Sequence, residues 1–236
     1  MNQDLRISVK APWERLSFLW IITFVGGYMN AYTYVTRNEI LANMHTANMS
    51  RLGITLARGQ WYPALTFFLP ILCCVLGAAF SEWMKKIITE KSTLRGDWRK
   101  YALILETIVL FVMGCISAEA PDMTVTLPIS FFMGFQLCLF RKFIGTAHNT
   151  TICTGNLRNV GQQLFAALDK RTSDSAKKLA MFAALTFSFA LGAVPGTWMS
   201  DLIGIRAVWI CCVILIIEVI WCFRYEAAAA EELQVT

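Results

Sequence analysis

His45-Thr46-Ala47-Asn48-Met49-Ser50-Arg51-Leu52-Gly53 and Cys153-Thr154-Gly155-Asn156-Leu157-Arg158-Asn159-Val160-Gly161 share one pattern, T-x-N-φ-x-x-φ-G with φ apolar. The pattern does not stand alone. After it, Leu76-Gly77-Ala78 with Trp83-Met84 returns as Leu191-Gly192-Ala193 with Trp198-Met199, and Leu105-Glu106 returns as Ile217-Glu218. Before it, Gly27 and Gly134 hold like places in two apolar runs. The matches keep their order at offsets of 107 to 115 residues. Four in register argue for an internal repeat, and the repeat decides how the rest of the chain is read.

Outward from these segments the sequence is unusually apolar. It is 56% hydrophobic and only 16% charged, with a mean hydropathy of +0.52. A soluble domain carries about 25% charged residues. The apolar residues fall into runs near the ~20 residues that cross a hydrocarbon core. We expect spans at 16–35, 62–84, 101–118, 125–140, 179–200 and 207–223. The first run is too long for a signal core and lacks an A-x-A exit, so it reads as the first helix. The two repeated segments, Leu41–Ala57 and Gly145–Leu168, are too rich in Asn, Thr, His and Arg to face lipid. They read as re-entrant, which is tolerated only where protein or a watery cavity surrounds the backbone.

With six spans and the N-terminus inside, 16 of the 21 Lys and Arg residues face the cytosol, including Arg6, Lys10, Arg95 and Lys100. Only Arg37, Arg58 and Arg206 fall outside, while Arg51 and Arg158 sit in the polar segments. This is a positive-inside pattern. It implies an inner (plasma) membrane protein with both termini cytosolic. The charge of +5 needs no nucleic acid to explain it. Three spans per repeat is an odd number, so the second half must be inverted. The expected fold is therefore an all-α integral membrane domain over 1–236. It comprises two inverted three-helix repeats, at about 16–118 and 125–223, each with a re-entrant half-helix segment. Inverted repeats of broken helices are a transporter architecture, with the solute site near the midplane.

Candidate site residues follow. Thr46, Asn48, Thr154 and Asn156 read either as helix N-caps or as the polar rim of a site where two helix N-termini meet and favour an anion or a dipole. Glu106 and Glu218 lie inside spans, where an ionised carboxylate costs roughly 2.5–3.5 kcal/mol. They read as interior functional groups or as structural ties, and Glu218 sits nearer a helix end. Asn30 and Gln136 face each other in the repeat scheme, as solute ligands or as helix glue. Arg141 and Lys142 read as interfacial anchors. His45 and His148 have no carboxylate at ligand spacing, and the eight cysteines contain no C-x-x-C. No metal or cofactor is expected, and the cysteines read as buried small hydrophobes.

Gly27-Tyr28-Met29-Asn30-Ala31, Thr46-Ala47-Asn48, Gly134-Phe135-Gln136-Leu137 with Arg141, and Thr154-Gly155-Asn156 together resemble the YoaK family of bacterial six-helix membrane proteins. The resemblance covers roughly 18–223. It implies the six-helix fold and supplies no substrate. Asn30 stands where that family usually has Asp, and Leu137 where it often has Asn, which bears on any proton coupling through that carboxylate. H-E-x-x-H, G-x-S-x-G and D-D-x-x-D are absent from the sequence. The expected function is a permease or channel-like transporter for a small polar or anionic solute. The alternatives are a non-transporting interaction or scaffold protein and, third, an intramembrane enzyme. Expected partners are the lipid bilayer, a small solute and a second copy of the chain.

Overall fold

The computed structural model describes residues 11–91 and 97–235. Arg6, Lys10 and Arg95 of the charge count lie outside the described residues, as does the side chain of Lys91. The chain is helical: α1 Leu16–Thr36, α2 His45–Ala57, α3 Trp61–Lys91, α4 Trp98–Met113, α5 Asp122–Leu139, α6 Thr154–Lys170, α7 Ser173–Ile203 and α8 Val208–Val235. A 3-10 turn, Gly204–Ala207, joins α7 to α8. The one departure from all-helical structure among the described residues is a two-strand hairpin before α6, with β1 Lys142–Phe143 antiparallel to β2 Thr146–Ala147. Ile144 and Gly145 turn it with positive φ (48° and 73°), as a two-residue hairpin of this hand requires.

Among the described residues, three helical runs are long and apolar enough to cross a membrane by length and composition: Trp61–Glu90, Asp122–Leu139, and the continuous run Ser173–Glu231 that contains α7 and α8. They point to a membrane protein. The expected spans on α1 and α4 fall short for different reasons. The second half of α1 mixes Asn30 with tyrosines and threonines. α4 has 16 residues, or about 24 Å. The large apolar side chains left exposed lie mainly on outward faces of α3, α7 and α8, such as Leu72, Val75, Leu76, Phe187, Leu191, Val213 and Ile217. Water would not tolerate so much contiguous apolar surface.

α1 and α5 form the centre. Phe18, Leu19, Ile22, Val25, Tyr28 and Tyr32 of α1, and Val125, Ile129 and Phe135 of α5, are completely buried. α1 lies along α7, and α5 along α3. α2 packs on α3, α6 on α7, and α4 on α8. Glycine makes the central crossings close. A Cβ on Gly27 would fall 1.8 Å from the Phe189 carbonyl oxygen, and one on Gly192 would fall 2.0 Å from that of Phe24. On the other side, a Cβ on Gly134 would meet the Cys74 carbonyl at 2.2 Å, and one on Gly77 that of Phe131 at 1.9 Å.

Charge collects at one end of the bundle. Arg141 pairs with Glu82, Lys100 with Glu226, and Arg99 with Asp97, while the Arg15 guanidinium lies over Trp221. At the other end Arg37, expected in an outer loop, is fully buried instead. Its Nη1 donates to the carbonyls of Ala118 and Ala120 at 3.4 Å each. Of the cysteines, Cys211, Cys212 and Cys222 are buried as expected, but Cys115 is exposed and the rest are half-buried.

Candidate functional site

The polar segments are helical only in part. Residues 37–44 are an irregular lead-in to α2, with Asn38 and Glu39 in the left-handed region (φ 48° and 59°). Residues 148–153 form the corresponding lead-in to α6. The N-cap positions are Met44 and Cys153, and neither supplies a side-chain cap. The capping role expected for Thr46, Asn48, Thr154 and Asn156 is therefore not the one they play. Asn48 Nδ2 donates back to the Leu41 carbonyl at 3.3 Å, and Asn156 Nδ2 to that of Asn149 at 2.6 Å. Each amide reaches back seven residues and ties the lead-in to its helix. Asn156 Oδ1 also accepts from the Asn149 N–H at 3.0 Å. Both amides are buried (2% and 1% exposed), whereas Thr46 and Thr154 are exposed.

The two lead-ins meet on α1. Asn43 Nδ2 donates to the Gly26 carbonyl and to the Thr151 carbonyl, each at 3.1 Å, and its Oδ1 accepts from Asn30 Nδ2. Gly26 permits the approach, since a Cβ there would stand 2.3 Å from the Thr150 carbonyl oxygen. One turn earlier on α1, Thr23 donates its hydroxyl proton to Leu19 O at 2.7 Å. His148 Nε2, 3.2 Å from Thr23 Oγ1, is then the donor of that contact, and Nδ1 is left without a partner. The result is a buried polar layer of Thr23, Asn43, His148, Thr150 and Thr151, with half-buried Asn30 at its edge. Asn43 was not singled out from the sequence. Its position was legible there all the same, because Asn43 and Thr151 each stand five residues before the repeated Asn.

Two buried carboxylates, Glu106 and Glu218, form a second group. Gln136 Nε2 donates to Glu106 Oε1 at 3.1 Å, joining α5 to α4. Gln136 therefore faces Glu106 and Asn30 faces Asn43, so the expected Asn30–Gln136 pairing does not occur. Both residues of the α4–α5 pair are fully buried, and both remaining oxygens, Glu106 Oε2 and Gln136 Oε1, lack partners. Both are acceptors, and each still lacks a donor. Glu218 lies mid-helix, since α8 continues to Val235, and not near a helix end as expected. It is fully buried with both carboxylate oxygens unpaired. It lines a cavity of about 250 Å³ together with Trp20, Ile21, Phe24, Ile214 and Ile217.

The chain belongs to the family described as "Protein of unknown function (DUF1275)", whose model matches residues 18–221. No curated protein and no solved structure matches the chain.

Proposed function

We propose that this DUF1275 member is a membrane permease for a small polar or anionic solute, which passes a polar site between two inverted halves of the bundle. One observation carries the reading: equivalent positions of the two halves touch, Asn43 Nδ2 on Thr151 O at 3.1 Å, where the lead-ins to α2 and α6 meet. The helix crossings support the inverted repeat. Phe24 and Gly27 of α1 correspond to Phe131 and Gly134 of α5 at an offset of 107, and Cys74 and Gly77 of α3 to Phe189 and Gly192 of α7 at 115. These eight residues make the two closest crossings, each repeat's first helix lying on the other repeat's third. α4 and α8 run antiparallel to each other. The Asp97 N–H donates to Glu226 Oε1 at 2.7 Å near one end, and Trp209 Nε1 to Phe111 O at 3.1 Å near the other. A two-fold axis in the membrane plane relates helices in this way.

On this reading α1, α3, α4, α5, α7 and α8 all cross the membrane. α1 needs no apolar exterior because its neighbours cover it. α2 and α6, about 20 and 25 Å long, enter from opposite faces with their positive ends toward the junction, where an anion or a dipole gains most. The charged end of the bundle faces the cytosol, so both termini do, in a bacterial inner membrane like that of the YoaK proteins the sequence resembles.

In a cysteine-free background, Ala47→Cys and Gly155→Cys should cross-link with a short thiol reagent. Separation of spin labels at these sites beyond roughly 20 Å would sink the arrangement. Asn48→Ala and Asn156→Ala should lower flux of the transported solute into proteoliposomes by similar factors, since each frees one lead-in. Loss of one such tie costs on the order of 1 kcal/mol, which a bundle of this size survives. A second reading, a non-transporting scaffold, draws on the fact that Asn30, Asn48 and Asn156 spend their amides inside the protein. Folded variants with unchanged flux would favour it.

A further inference from the structure

We propose that the groove between α1 and α8 binds a small organic monocation: a protonated amine carrying an apolar, preferably aryl, body. This is independent of the permeation site. Glu218 lies ten residues into α8, about 15 Å from its start, so it sits near mid-membrane. Its side chain is fully buried, and neither oxygen has a hydrogen-bond partner. No lysine or arginine lines the cavity it borders. The charged groups nearest along the helix are Arg224, six residues on and exposed, and Glu226, two turns away and already paired with Lys100. A carboxylate in this setting lacks a donor, and an ammonium group supplies up to three in charge-assisted bonds.

The rest of the cavity fits the body of such a ligand. Ile21, Ile214 and Ile217 give it aliphatic walls. Trp20 and Phe24, stacked with ring centroids 5.7 Å apart, give an aromatic face that attracts a cation and packs an aryl group. The volume of about 250 Å³ is below the ~300–1,000 Å³ of drug-sized pockets, so the ligand is small. Ile217 is more than half exposed on the outer face of α8, so the groove opens toward lipid. An amphiphilic amine can therefore enter from the bilayer, where it already partitions. An acyl chain alone would fill the walls and leave Glu218 unpaired.

The test compares 4-phenylbutylammonium, 4-phenylbutanol and 4-phenylbutyrate by equilibrium dialysis against the full protein in phosphatidylcholine nanodiscs, with protein-free nanodiscs as background. The expected result is saturable binding of the ammonium at one site per chain, at least tenfold tighter than the alcohol, with no saturable binding of the carboxylate. Glu218→Gln should abolish the tenfold preference and leave the alcohol unchanged, and Trp20→Leu should weaken the ammonium severalfold. The wild-type comparison decides even if a variant fails to fold. Equal binding of ammonium and alcohol, saturable binding of the carboxylate, or full ammonium affinity in folded Glu218→Gln each overturns the proposal.

Discussion

Alanine at Gly27, Gly77, Gly134 or Gly192 is expected to destabilise the bundle strongly, and by similar amounts at all four positions. A Cβ at each would fall 1.8–2.2 Å from a carbonyl oxygen of the facing helix. The obstacle is backbone, which cannot swing aside as a side-chain tip can, so the whole crossing must open. Overpacking a core costs about 1–3 kcal/mol, occasionally more. A displaced backbone crossing belongs at or above the upper end of that range. Gly53 and Gly161 are the controls. They close the repeated T-x-N motif on α2 and α6, yet a Cβ at either would meet nothing within 4 Å. Alanine there should be neutral or stabilising, by up to about 1 kcal/mol of helix propensity. The measurement is the fraction of monodisperse protein surviving a heating series in mild detergent. If Gly27→Ala and Gly134→Ala behave like Gly53→Ala, the crossings are wrong.

Asn43→Ala should have the next largest effect. The substitution leaves the Gly26 and Thr151 carbonyls and the Asn30 amide without the partner they now share. Each buried group left unpaired costs roughly 1–3 kcal/mol. Water entering the space left by the amide recovers part of this, so a net loss of about 3 kcal/mol is expected. Asn43→Asp should not rescue it, since a carboxylate keeps the acceptor for Asn30 but has no donor for the two carbonyls. The local readout is the Ala47→Cys/Gly155→Cys cross-link, whose yield should fall when Asn43→Ala is added, because Asn43 is the side chain that bonds one lead-in to the other. Undiminished yield with undiminished stability would show that the junction does not hold the halves together.

The all-helical class and the glycines of the close crossings were legible in the sequence, because self-similar segments carry their own alignment. The match of Gly27 with Gly134, and of Gly77 with Gly192, gave the register in which the glycines now face carbonyls. The polar Thr-x-Asn segments form helices of their own, α2 and α6. What could not be read was direction. Asn48 and Asn156 sit at helix starts, where capping is the commonest use of Asn, but they reach backward over seven residues to lead-ins whose path no local pattern gives. Asn30 and Gln136 occupy similar positions on α1 and α5, and the repeat alone sets them facing each other. Each finds its partner on a different element, Asn43 in one case and Glu106 on α4 in the other. Helix ends also moved. α8 runs on to Val235 through the alanine-rich tail, where high helix propensity continues what the apolar run begins, and that extension moved Glu218 from a helix end to its middle.

The central claim is that solute reaches the junction of α2 and α6 through the membrane, and thiol accessibility in sealed vesicles of known orientation tests it without knowledge of the solute. Thr46 and Thr154 are the exposed residues at the two helix starts. In a cysteine-free background, Thr46→Cys should react with a membrane-impermeant thiol reagent added from the periplasmic side, and Thr154→Cys from the cytosolic side. If neither cysteine reacts from either side, although both react once the protein is denatured, the polar layer is sealed helix glue and the permease reading is wrong.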